Sequence, residues 1–79
     1  MKLEDTVQLM LSEDYAERFK AEYYQLSIRL EKLHDYIWNK GRVSFDSKSK
    51  FATYIDQYQT MKKYLAILRT RANDEGIEL

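Results

Sequence analysis

Residues 15–37 read YAERFKAEYYQLSIRLEKLHDYI, and apolar side chains recur in this stretch at alternating spacings of three and four residues. The same rhythm returns between residues 51 and 72. An average spacing of about 3.5 residues is typical of α-helices that pack along each other. The sequence therefore predicts two matched helices that share one seam. The predicted seam positions are Ala16, Phe19, Tyr23, Leu26, Leu30, Leu33 and Ile37 in the first helix, and Phe51, Tyr54, Tyr58, Met61, Leu65, Leu68 and Ala72 in the second.

The rest of the chain completes one all-α domain, a short N-terminal helix followed by an antiparallel two-helix hairpin. Ser12 is a good N-cap residue, so we expect a new helix to begin after it. Gly76 adopts positive φ without strain and is expected to end the last helix. The predicted segments of the domain (1–79) are a short helix (1–11), a long helix (13–40), a connector (41–47) and a second long helix (48–74).

The size and composition of the chain favour self-association. It has 79 residues, no cysteine and a single histidine, His34. A chain this short usually needs disulfides, a metal or oligomerisation to supplement its core. Without cysteine or a histidine cluster, disulfides and metal sites of those types are excluded, and no cofactor is expected. Apolar side chains off the seam, such as Tyr64 and Ile67, also need cover. We therefore expect a helical homo-oligomer, with residues 1–11 docked either on their own hairpin or on another copy.

The charge balance limits the classes of partner. Thirteen basic and thirteen acidic residues give a formal net charge of zero. Proteins that bind long nucleic acids usually present a strongly basic face, so the balance argues against such a partner. A small ligand with one or two phosphates remains compatible. No apolar run approaches the roughly 20 residues that span a bilayer, and no signal-peptide pattern begins the sequence. We expect no membrane partner and a cytoplasmic location.

The sequence predicts no enzyme activity. His34 has no nucleophile at a spacing that suggests a triad, and its nearest carboxylates, Glu31 and Asp35, are ordinary surface charges. The chain holds only two glycines, so it has no glycine-rich loop for phosphates.

One face of the first long helix combines aromatic and basic side chains, each one residue before a seam position. Arginine and lysine bind phosphate oxygens, and tyrosine rings stack on bases, so this face suits a small nucleotide. The alternative is a solvated flank whose charges pair with a neighbouring helix. On the second long helix, Lys62 and Arg69 lie two turns apart on one face, with Arg71 nearby, and could meet one anion only if symmetry copies converge; a solvated face is again the alternative. The residues of the first face are Tyr15, Arg18, Glu22, Gln25, Arg29, Lys32 and Tyr36.

Longer motifs carry a family resemblance. Residues 15–33 match Y-x-x-R-F-x-x-E-x-x-x-L-x-x-R-x-x-K-L, residues 57–72 match Q-x-x-x-M-x-x-Y-L-x-x-L-x-x-R-A, and residues 75–79 read EGIEL. The chain resembles a widespread family of small phage helical-hairpin proteins, labelled as related to a crAss-like phage protein. That family includes the anti-CBASS cyclic-nucleotide sponges. The connector GRVSFDS lacks the prolines often found there in the family.

The resemblance implies a fold, a ligand and a mechanism. It implies helical hairpins assembled into hexamers that hold cyclic dinucleotides, and in some members cyclic trinucleotides, without cleaving them. Such sequestration keeps the messenger from a defence effector in the infected bacterial host cell. It also implies that Tyr15 stacks on a base and that Arg29 and Lys32 hold phosphates, with Arg69 and Arg71 at a second site on a symmetry axis. The alternative function is a phage protein–protein interaction module, or an inhibitor of a host protein, that uses exposed aromatic side chains as anchors.

Overall fold

The computed structural model describes residues 1–41 and 48–79, with the backbone alone at residues 40 and 41. All regular structure in these ranges is helical, which confirms the all-α fold class. Within them, no helix is both long and apolar enough to cross a bilayer. The connector predicted over 41–47 lies outside the described residues from residue 42 onward. The elements are a 3-10 turn (Leu3–Thr6), helix α1 (Val7–Met10), helix α2 (Tyr15–Asp35), a turn of π-helix (Tyr36–Gly41) and helix α3 (Lys48–Glu75).

Helix α2 begins at Tyr15 rather than at residue 13, because Asp14 caps it. The Asp14 carboxylate accepts a hydrogen bond from the backbone N–H of Ala16 at 3.0 Å. Ser12 Oγ accepts one from the N–H of Asp14, also at 3.0 Å. The prediction that Ser12 is the N-cap is therefore wrong, since Ser12 shapes the turn before the helix instead. The predicted break between the short helix and α2 is present.

Helices α2 and α3 pack side by side in opposite directions. Tyr15, at the start of α2, hydrogen-bonds Glu75 at the end of α3. Beyond the other end of α2, the rings of Tyr36 and Tyr54 lie 5.5 Å apart between centroids. All fourteen predicted seam positions are buried or half-buried, and on α3 the only other side chain that is not exposed is Ile55. The spacing of apolar residues therefore identified the interface between the two long helices.

The core lies towards the end of the hairpin where α2 begins and α3 ends. Phe19, Leu68 and Ala72 are buried against one another. Gly76, at φ +70°, ends α3 in the left-handed region that favours glycine. The Ile77 N–H donates to the Ala72 carbonyl at 2.8 Å, and the Gly76 N–H donates to the Asn73 carbonyl at 3.3 Å. This is a Schellman C-cap, and it turns Ile77 back onto the core.

The segment from Leu3 to Met10, called the leading segment below, packs on α2 of the same chain through a buried threonine and two half-buried leucines, Leu3 and Leu9. Thr6 is fully buried. Its hydroxyl donates to the Leu3 carbonyl at 2.6 Å and accepts from Gln25 Nε2 at 2.9 Å. Arg18 Nη1 donates to the Ser12 carbonyl at 2.8 Å and so fixes the turn that follows. The leading segment is therefore held on α2 by the bond between Thr6 and Gln25 together with its half-buried leucines.

Thr6→Val is expected to loosen the leading segment while leaving the hairpin intact. The substitution keeps the shape of the side chain but removes the hydroxyl that bonds the half-buried amide of Gln25, at a cost of about 0.5–1.5 kcal/mol. Hydrogen exchange should become faster for the amides of residues 3–10 and stay unchanged in the middle of α2 and α3. Thr70→Val is the matched control, because the Thr70 hydroxyl is exposed and bonds only its own helix. Equal effects of the two variants would contradict this account.

Candidate ligand-binding site

Three side chains meet where α2 begins and α3 ends. The Tyr15 hydroxyl donates to Glu75 Oε1 at 2.8 Å and accepts from Arg71 Nη2 at 3.0 Å. Arg71 Nε pairs with Glu75 Oε2 at 3.4 Å. The structure thus brings together two of the predicted site residues, Tyr15 and Arg71. Glu75 was not predicted for the site, although its position four residues after Arg71 indicates an ion pair on a helix.

The Tyr15 ring is neutral and accessible. The hydrogen bond to Glu75 raises the pKa of Tyr15 above its ordinary value, and burial and the negative charge of Glu75 act in the same direction. The hydroxyl therefore stays protonated at neutral pH. The residue is 48% exposed. An uncharged, accessible ring of this kind suits stacking against a base.

Arg71 and Arg69 lie on opposite flanks of the seam. The Arg71 guanidinium carbon lies 5.1 Å from the centroid of the Phe19 ring. Arg69 Nε donates to the Tyr23 hydroxyl at 2.9 Å, and its guanidinium carbon lies 5.8 Å from the Tyr23 ring centroid. Two residues along a helix are about 200° apart around its axis, so these cations point away from each other. A single anion shared by Arg69 and Arg71 therefore requires more than one copy of the chain.

Arg29 and Lys32 line clefts between the leading segment and α2. Arg29 contributes to a groove of about 450 Å³ together with Leu3, Met10 and Gln25. Lys32 contributes to a neighbouring cleft of about 680 Å³. Three carboxylates line that second cleft beside Lys2 and Lys32, so in a single copy it offers an anion no clear excess of positive charge. These carboxylates belong to Glu4, Glu31 and Asp35.

Tyr15 lies far from Arg29 and Lys32 in the same chain. A helix rises 1.5 Å per residue, so Tyr15 and Arg29 are roughly 21 Å apart along α2. A base and the phosphate next to it are joined through a single sugar, which cannot cover that distance. If Tyr15 stacks on a base and Arg29 holds the adjacent phosphate, the two side chains must come from different copies.

The last two predicted site residues have structural contacts. Arg18 hydrogen-bonds the turn before α2, as described above. Tyr36 packs on Tyr54 beyond the end of α2. Neither lies in the Tyr15 cluster.

An aromatic cluster near the far end of the hairpin was not predicted. His34 stacks on Trp38 with ring centroids 4.7 Å apart and an interplanar angle of 28°. Trp38 meets the Tyr58 ring edge-on at 5.0 Å. The four-residue spacing of His34 and Trp38 is the signal that would have indicated their contact. His34 is exposed and contacts two aromatic rings, those of Trp38 and Tyr58.

The fold and the site define a helical-hairpin protein with an exposed tyrosine–arginine cluster and further cations along one long helix. The family model Sequestin matches residues 13–74, well over half of the chain. The chain belongs to the Sequestin family. The match covers α2 and nearly all of α3 but leaves out the leading segment. No curated protein and no solved structure matches the chain.

Proposed function

We propose that this protein is a phage anti-defence sponge that sequesters cyclic oligonucleotide messengers. It binds cyclic dinucleotides, with cyclic trinucleotides as a second ligand class, and does not cleave them. Withdrawal of the messenger blocks CBASS-type immune signalling in the cytoplasm of the infected bacterial host cell. Membership of the Sequestin family carries the proposal, because the family name denotes sequestration.

The chemistry of the candidate site supports a nucleotide ligand. Tyr15 offers an accessible, uncharged ring for a base. Arg71 beside it, and Arg29 and Lys32 further along α2, offer cations for phosphates. The zero net charge of the chain favours a ligand with few phosphates over a long nucleic acid. A small cyclic nucleotide offers both a base that can stack and a small number of phosphates.

The proposed ligand site is formed between copies of the chain. The separation of Tyr15 from Arg29 requires a second copy at the same ligand. Large apolar side chains also remain accessible in the single chain, among them Ile67 at 47% and Tyr64 at 41%. The hexamer implied by the family resemblance provides both the cover and the second set of cations. Sequestration without turnover agrees with the surroundings of His34, which stacks on Trp38.

Titration calorimetry with a panel of cyclic di- and trinucleotides is expected to give binding heat for at least one of them. The same ligand should raise the melting temperature, because a ligand that binds only the folded state stabilises it by about 2.7 kcal/mol at 100 times its Kd. Heating the complex should release the nucleotide intact. Linear dinucleotides of the same bases are the control. The proposal fails if the whole panel gives neither heat nor a thermal shift, and the protein-interaction alternative then stands.

A further inference from the structure

The leading segment half-buries Leu3 and Leu9 but presents its other apolar side chains to solvent. Val7 is 44% exposed, Met10 is 50% exposed and Leu11, just after the segment, is 73% exposed. The inner side is occupied by Thr6, which is fully buried and hydrogen-bonded to Gln25. An exposed group of apolar side chains on a small protein indicates an interaction surface. These three exposed residues, Val7, Met10 and Leu11, are called the N-terminal patch below.

A second group of exposed apolar side chains lies on α3. Tyr64 and Ile67 are 41% and 47% exposed and lie on one flank of the helix at a spacing of three residues. Arg71 follows on the same flank at the next turn. The leading segment packs on α2 and so does not cover this flank of α3 within the same chain. Tyr64 and Ile67 are called the α3 patch below.

The two patches carry opposite charges around them. Residues 3–14 contain four carboxylates and no lysine or arginine. Residues 57–71 contain four cations and no aspartate or glutamate. The lengths also agree, since the leading segment is about 12 Å long and the stretch from Tyr64 to Arg71 is about 10 Å long. An acidic apolar surface and a basic apolar surface of similar length are complementary.

We propose that the N-terminal patch of one copy docks on the α3 patch of a second copy. This contact deepens the oligomeric part of the proposed function and rests on it. The contact uses two different surfaces, so one contact leaves the α3 patch of the first copy and the N-terminal patch of the second free for a further neighbour, unless a two-fold pair makes the contact twice. Repetition of the same contact then builds a closed ring or a chain of copies. The acidic residues face Lys63 and Arg71 across the contact.

Cross-linking between two cysteine variants tests this contact. The natural chain has no cysteine, so Leu11→Cys and Ile67→Cys each introduce a single thiol. One variant is labelled with ¹⁵N, the two are mixed without nucleotide, and a short bismaleimide is added. Mass spectrometry should show a Leu11–Ile67 adduct in more than tenfold excess over either same-variant adduct. A twofold excess, which random encounter produces, would overturn the proposal, as would a dominant same-variant adduct.

Two controls test whether the Leu11–Ile67 cross-link depends on the proposed contact. Leu79→Cys places a thiol at a residue that is 41% exposed but outside both patches, and it should cross-link with either variant only at the random ratio. Lys63→Glu in the Ile67→Cys chain should reduce the mixed adduct at least fivefold at low salt, because it reverses a charge opposite the acidic residues. Circular dichroism checks that each variant keeps its helices. No reduction with Lys63→Glu would contradict the charge pairing.

The outcome is separable from that of the ligand experiment. If the chain cross-links as expected but binds no cyclic nucleotide, the proposed contact is supported and the proposed ligand is wrong. If the chain binds a cyclic nucleotide but cross-links at the random ratio, the proposed ligand is supported and the proposed contact is wrong.

Discussion

Leu68→Ala is expected to lower the free energy of unfolding by about 2–5 kcal/mol. Leu68 is fully buried and packs against Phe19 and Ala72 in the core. The substitution removes apolar contacts and leaves a cavity that the two helices fill only in part. At about 0.05–0.15 kcal/mol per residue, a chain of this size has a total stability of roughly 4–12 kcal/mol. One substitution therefore removes a large share of the stability of the hairpin.

Urea denaturation followed by circular dichroism measures this loss. Leu79→Ala is the matched control, because it deletes the same atoms from a residue that is 41% exposed. Its effect should stay within about 0.5 kcal/mol. Both variants are compared at one protein concentration, since self-association adds to apparent stability. Similar midpoints for the two variants would show that the Leu68 cluster is not the core.

Tyr15→Ala is expected to weaken the binding of a cyclic dinucleotide by about 1–3 kcal/mol, roughly 5- to 150-fold in Kd. The reason is the loss of the accessible ring on which a base stacks. Arg29→Ala is expected to weaken binding to a similar degree, because a guanidinium–phosphate hydrogen bond is charge-assisted. Calorimetry measures both affinities, and the sedimentation coefficient shows whether the oligomer persists. Loss of assembly in both variants would favour a structural role for these side chains.

Tyr15→Phe is the matched control for stacking. It keeps the ring but removes the hydroxyl that bonds Glu75 and Arg71. We expect an affinity close to that of the natural chain, with a small loss of stability because the exposed hydrogen bonds disappear. If phenylalanine and alanine weaken binding equally, the hydroxyl contacts account for the effect of Tyr15 and stacking does not.

The pairing of the long helices was predictable because it depends on periodicity. A repeat of about 3.5 residues places Phe19 and Leu68 on the facing sides of two helices, whatever the details of their ends. The start of α2 was less predictable. Ser12 and Asp14 are both good N-cap residues, and local sequence does not decide between them. The orientation of the leading segment was not predictable, since it depends on a hydrogen bond between Thr6 and Gln25, 19 residues apart.

The sequence identified residues of the candidate site but not how they are arranged in space. Tyr15 and Arg71 were both predicted, yet their contact joins residues 56 positions apart and depends on the antiparallel packing of α2 and α3. Tyr15 and Arg29 were assigned to one ligand on the basis of family resemblance. The rise of α2 separates them, so the assignment requires two copies. Of the carboxylates near Lys32, Glu31 and Asp35 are its neighbours in the sequence, and only Glu4 is brought close by the docking of the leading segment.

The small attachment surface of the leading segment has a calorimetric consequence. The heat capacity of unfolding rises mainly with newly hydrated apolar surface. Detachment of the leading segment hydrates Thr6 and the covered parts of Leu3 and Leu9, whereas Val7 and Met10 are already exposed, so it adds far less apolar surface than melting of the hairpin. In a single copy, scanning calorimetry will therefore record the melting of the hairpin as its dominant peak. Release of the first ten residues will contribute a much smaller heat-capacity change than melting of the hairpin.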